Sequence, residues 1–183
     1  MSGETVTLTE KVAALRHAFD RAFAAAPDPE AAPVENLVAV RLSNDPFAIR
    51  LSDISGLFAD KAVVPLPASA PALLGVAGFR GSIVPVFSLP ALLGYAEDGA
   101  LRWLVLAGAA GGARRVGLAF DRFEGHLQVP QSAIATDEKG ERQRRFVKEI
   151  IRTPDGVRPL IHMASVIEAI DAQGNDSNSQ REQ

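Results

Sequence analysis

Between Lys61 and Glu97 the chain carries a single charge, Arg80, and from Ala62 to Phe79 it carries none. This stretch restricts the fold more than any other. A run of that length could cross a bilayer if it were helical. Pro65, Pro67, Pro71, Gly75 and Gly78 interrupt it, however. Each proline removes a backbone donor, and hydrocarbon would leave the gap unpaired. Strands and turns buried in protein satisfy the same backbone. The stretch therefore reads as core, with no transmembrane helix and no membrane insertion.

The flanking sequence agrees. Leu37 to Leu42 and Phe47 to Leu51 alternate with period two about a Ser43-Asn-Asp-Pro46 turn, which is a hairpin signal. Short strands follow at Ala62–Leu66, Gly75–Phe79 and Ile83–Phe87, then a short helix at Leu89–Leu93. Leu101–Ala107 and Arg115–Phe120 flank the glycine-rich turn Gly108–Gly112. Leu127–Val129, Phe146–Ile151 and Val157–Ile161 complete the strands before a helix at Ala164–Ile170. Many short strands punctuated by Gly and Pro indicate a mainly-β barrel or a pair of barrels, not an α/β sheet. With 47% hydrophobic but only 6% aromatic residues, the core must be built from Val, Leu, Ile and Ala.

Ahead of this lies Thr9–Ala26, where Val12, Leu15, Phe19, Ala22 and Phe23 recur at helical spacing. Pro27-Asp-Pro29 ends this amphipathic helix. The expected organisation is a helix and linker over 1–33, one domain over 34–171, and a polar, disordered tail over 172–183.

Most chemistry is excluded by composition. The chain has no cysteine, so disulfides, thiolate metal sites and thiol catalysis are ruled out. His17, His126 and His162 stand alone, without the spacing that holds a metal. Neither Ser82 nor Ser88 lies in a nucleophile elbow, and Gly108–Gly112 lacks the ending of a phosphate loop. Arg142, Arg144 and Arg145 alternate with acids, as solvated loops do. With 19 basic against 22 acidic residues, a net charge of −3 disfavours nucleic-acid binding. The reading is a protein that is not an enzyme and has no cofactor and no metal. A polar, acidic N-terminus is unlike a signal peptide, so a cytoplasmic location is expected.

Arg80 is the exception that calls for a function. It sits in Gly78-Phe-Arg-Gly81, between two apolar strands. A guanidinium left unpaired in a core costs several kcal/mol, on the order of what a buried charge demands. Flanking glycines allow a tight turn that throws the side chain outward, where it would serve as a protein-binding hot spot. An internal ion pair to Asp53 or Asp60 is the competing account.

Leu73-Leu-Gly-Val-Ala-Gly-Phe-Arg-Gly-Ser-Ile-Val-Pro-Val-Phe-Ser-Leu89 resembles the signature of the CheW-like domain of bacterial chemotaxis adaptors. Phe47 to Ile54, Pro65-Leu-Pro67, Val116 to Phe123 and Leu160 to Ile170 are similar to further family segments, so the likeness runs from about Asn36 to Ile170. It implies two intertwined SH3-like five-stranded β-barrels with no catalysis. It also implies two partners: the cytoplasmic tip of a chemoreceptor, and the regulatory domain of a CheA-type histidine kinase. The implied location is cytoplasmic, at membrane-associated receptor arrays. Carried over, Arg80 matches the arginine linked to receptor coupling, with Phe79, Gly81, Gly56 and Leu57 around it, while Val84 and Val86 would be core. A small-ligand-binding or regulatory barrel without a receptor partner is the alternative.

The chain departs from the family pattern at three places. Ser88 stands where an acid is usual, Gly56 where Glu is common, and His162 where an acid or amide is common. The resemblance then implies that part of the polar receptor-facing set is missing and that this is a divergent or accessory coupling protein. The first helix, outside the family core, is expected to cover a barrel edge.

Overall fold

Strand β1, Val34–Leu42, shows how the sequence builds this fold. Val38, Val40 and Leu42 point into one buried cluster, and Leu37 points into another on the opposite face. A strand buried on both sides needs a continuous apolar run, which is what Leu37-Val-Ala-Val40 supplies. The computed structural model describes residues 33–67, 71–96, 99–108, 115–136, 145–153 and 156–179, with side chains through 173. The amphipathic segment Thr9–Ala26, most of the Gly108–Gly112 turn and most of the Arg142–Arg145 run lie outside the described residues. The chain divides between Pro33 and Val34 into two units, and every described strand and helix belongs to the second.

That unit is mainly β. β1 pairs antiparallel with β2, Asp45–Arg50. The chain then leaves to build a second sheet from β3 (Ile54–Ala59), β4 (Leu73–Phe79), β5 (Ser82–Ser88), β6 (Trp103–Ala107) and β7 (Val116–Phe120), in the order β3-β6-β7-β5-β4. It returns with β8 (Arg122–Pro130), β9 (Ile134–Thr136), β10 (Val147–Thr153) and β11 (Gly156–Ile161), giving the order β8-β1-β2-β11-β10-β9. The two sheets are thus intertwined. The second has the expected five strands; the first has six because the three-residue β9 adds to its edge.

Three clusters hold the sheets together. The central one draws Val38, Val40, Phe47, Ile49 and Ile161 from the first sheet and Phe87, Val105, Val116, Leu118 and Phe120 from the second. Alternate residues of the same strands fill the inner faces. Val84, Val86, Leu104, Leu106 and Ala119 fill that of the second sheet, and Leu37, Ala48, Ile151 and Leu160 that of the first. Each fully buried aliphatic side chain stabilises by roughly 1.5–3 kcal/mol. Both barrel interiors are therefore occupied by side chains, which disfavours a ligand inside either.

Several expectations are corrected. Ala62–Leu66 is not a strand; only Val64 pairs, in a single bridge to Val76, because Pro65 and Pro67 lack donors. β3 and β9 are additional strands. Between Ile54 and Gly56, β3 carries a register irregularity against β6. The C-terminal helix, α2, runs Met163–Ser179, past the expected end at Ile170 and through much of the segment expected to be a disordered tail. No proline stops it, and each added turn extends an existing hydrogen-bond ladder, although Gly174, Asn175, Asp176, Ser177 and Asn178 are poor helix formers. Asp121 serves the structure, since its Oδ2 accepts the backbone N–H of Ser43 at 2.6 Å and fixes a turn residue with φ 54°.

Candidate functional site

Phe79 of β4 pairs with Ser82 of β5, which leaves Arg80 and Gly81 as the whole connection. Both have positive φ, 45° and 81°. A two-residue hairpin loop with left-handed residues at both positions matches the twist of its strands, and glycine or asparagine is favoured there. Gly81 fits; Arg80 is a costly choice for this backbone. Its side chain stands in solvent and forms no hydrogen bond or ion pair among the described residues.

The internal-pair account of Arg80 fails on its named partners. Asp60 accepts two hydrogen bonds from Arg102, Nε to Oδ1 at 2.9 Å and Nη2 to Oδ2 at 2.8 Å, which hold its carboxyl below the usual range. Asp53 lies within 3.5 Å of the Ser52 hydroxyl and forms no ion pair with a described residue.

The other expected site residues separate. Phe79 is only 6% exposed and packs on Phe58 with ring centroids 5.0 Å apart. It therefore anchors the turn from below and leaves little surface for a partner. Gly81 is exposed and open, with nothing within 4 Å of where a Cβ would sit. Ile83, next along β5, is 78% exposed, so the cation stands beside apolar surface. Gly56 and Leu57 do not join Arg80. They line a separate apolar groove of about 370 Å³, with Val38, Leu51, Phe123 and His126. This groove lies where β1 and β8 of one sheet meet β3 of the other. Strand β3 links the two places, since Ser55 and Phe58 face the cleft beside Arg80.

Glu124 of β8 fastens three strands of the first sheet. Its Oε1 accepts from Arg41 of β1 at 2.7–2.8 Å and its Oε2 from Arg158 of β11 at 2.8 Å. Burial pushes this carboxyl up, but the Arg158 and Arg41 guanidiniums outweigh it and leave it below the ordinary 4.5. Arg158 also donates to the Phe47 carbonyl at 3.0 Å.

Two of the three departures from the family pattern serve the fold itself. Ser88 is fully buried, and its hydroxyl accepts the Ala91 N–H at 3.2 Å, capping helix α1 (Leu89–Leu92). An acid there would cap equally well, so the substitution changes a cap, not a docking surface. His162 precedes α2, and its Nδ1 accepts the Ser165 N–H at 3.3 Å and lies 2.8 Å from the Ser165 hydroxyl. Leu51, Lys61, Arg115 and Phe123 were not singled out by sequence. Only Lys61, at the edge of the uncharged stretch, carried a signal that could have found it.

Among the described residues no group of His, Asp or Glu could hold a metal ion, and no helix is long and apolar enough to cross a membrane. A family model described as "CheW-like domain" matches residues 36–171. No curated protein matches the chain. Among solved structures, the fold is similar to that of the scaffolding protein TtCheW from Thermoanaerobacter tengcongensis. The TM-score is 0.64 at 19% identity, over 71% of this chain and 90% of that one.

Proposed function

The chain belongs to the CheW-like domain family, and from that premise we propose that it is a non-catalytic adaptor of a bacterial chemosensory system. It couples a chemoreceptor to a CheA-type histidine kinase by binding both at once. The observation that carries this reading is Arg80: an unpaired guanidinium, held in an unfavourable backbone conformation beside an exposed isoleucine. Nothing within the described fold uses it, so its use lies in a partner.

The receptor tip docks at the Arg80 turn and along the neighbouring apolar groove, and the kinase regulatory domain takes a second surface. Intertwined sheets sharing one core fix the distance between these surfaces. Holding both partners raises the effective concentration of each for the other, which is how a scaffold without chemistry controls a kinase. The occupied barrel interiors favour this reading over a ligand-binding barrel.

Co-sedimentation with a receptor cytoplasmic fragment and the kinase regulatory domain tests it. Arg80→Glu is expected to leave the fold and kinase binding intact while lowering receptor co-sedimentation. Wild-type assembly by Arg80→Glu would overturn the assigned docking role.

A further inference from the structure

Arg80 is not the only cation without a counter-charge on its side of the molecule. Lys61 and Arg115 line the same cleft, of about 320 Å³, whose apolar walls come from Phe58, Phe79 and Leu106. Among the described residues no carboxylate lines it. Among the described residues none of the three cations has an ion pair, and Lys61 is held only by its position 4.9 Å from the Phe79 ring centroid. Arg41, Arg50, Arg102 and Arg158 each meet a carboxylate, and the other described cations without an ion pair, Arg122, Arg145, Lys148 and Arg152, do not line this cleft. A chain of net charge −3 thus has acids to spare, yet leaves this cleft positive.

Three like charges around one concavity repel each other and concentrate the field of the cleft on an incoming anion. The partly exposed Phe58 ring adds a second requirement, because a simple anion would leave it uncovered. A long polyanion such as nucleic acid is disfavoured by the overall negative charge. The geometry points to an acidic peptide segment as the occupant: two or more carboxylates, flanking one apolar side chain that settles on the partly exposed Phe58 ring. The arginine forks take carboxylates bidentately, and Lys61 adds a point charge at the rim. This inference rests on the reading of the Arg80 turn as the receptor-docking surface, and it specifies the chemistry of the receptor segment that enters there.

The test uses the full chain and a cytoplasmic fragment of a chemoreceptor encoded in the same genome, with affinity measured at low and at physiological ionic strength. Lys61→Glu, Arg115→Glu and Arg80→Glu are compared with the wild type, and circular dichroism checks that each is folded. Each reversal is expected to weaken binding about tenfold at low salt, chiefly by slowing association, and salt is expected to weaken the wild type in the same direction. Lys61→Gln and Arg115→Gln should lose less than the Glu variants. If only Arg80→Glu weakens binding, the acidic-segment inference is overturned while the docking reading stands. If none of the three reversals matters, both are overturned. Preferential binding of anionic vesicles through the same three residues would also sink the inference, since the occupant would then be a lipid surface.

Discussion

Replacing Arg80 by asparagine should make the protein more stable and a worse adaptor. Arg80 has φ 45° at the first position of a two-residue hairpin loop. A non-glycine residue in the left-handed region costs roughly 1–2 kcal/mol. Asparagine recovers about half of this, because its short side chain bonds to the local backbone and Asn-Gly is the preferred pair in such a loop. The expected gain is about 0.5–1 kcal/mol, or about 1–4 °C in Tm for a chain of this size. Arg80→Gly removes the whole of this cost but frees the unfolded chain by about 0.5–1 kcal/mol, so its net gain should be similar to that of asparagine. Guanidinium unfolding of the three proteins, with unchanged m-values, measures the order; receptor co-sedimentation of the same samples should show both variants impaired. The opposite account has a different sign. Were the guanidinium sealed and paired within the fold, Arg80→Asn would lose about 3–5 kcal/mol, the usual cost of breaking a buried ion pair. A loss of more than about 1 kcal/mol would therefore refute the exposed, partner-facing role of Arg80.

Glu124 and Gly75 supply two further predictions. Because the Glu124 carboxyl is depressed below 4.5 in the folded state, its contribution is fully present above that pH and fades as pH falls through the folded value. Glu124→Gln should thus cost about 1 kcal/mol near neutrality and progressively less in acid; a gap that stays constant down to about pH 3 would contradict the ion-pair account. At Gly75 φ is +146° and a Cβ would lie 2.1 Å from the Val64 carbonyl oxygen. Gly75→Ala should lower stability by about 2 kcal/mol or more, whereas Gly78→Ala, with nothing within 4 Å, should change it by less than about 0.5 kcal/mol. Denaturant midpoints of the pair decide this, and equal effects would remove the close-approach argument.

Much of this architecture is legible from residue order because alternation and burial coincide. The Leu37–Leu42 and Phe47–Leu51 hairpin, the β4–β5 pair and the Leu89 helix all carry local signals that the packing reinforces. Strands without that agreement are harder to see. β3 hides because Ser55 and Gly56 interrupt its apolar residues and its partner, β6, comes much later in the chain. Ala62–Leu66 misleads in the other direction, since apolar character suggests a strand that its prolines forbid. For the proposed docking site, a lone charge in an apolar stretch is a strong local signal, so Arg80 is singled out. Its companion Arg115 is not, because only the curling of the second sheet carries it to the cleft. Gly56 and Leu57 line a different hollow from Arg80 because neighbouring residues of β3 face opposite ways, which residue order does not reveal.

The out-and-back path of the chain also bears on how such a molecule is born. The parallel ladder between β2 and β11 joins Ala48 to Leu160, so the first sheet stays open until nearly the last strand has been made. The second sheet needs only β3 to β7, all of which leave the ribosome earlier. Nascent β1 and β2 must therefore wait with one flank exposed while their neighbours assemble, a delay that long-range pairing makes slow. Chains cut short before β11 should accumulate with the second barrel built and the first one unfinished.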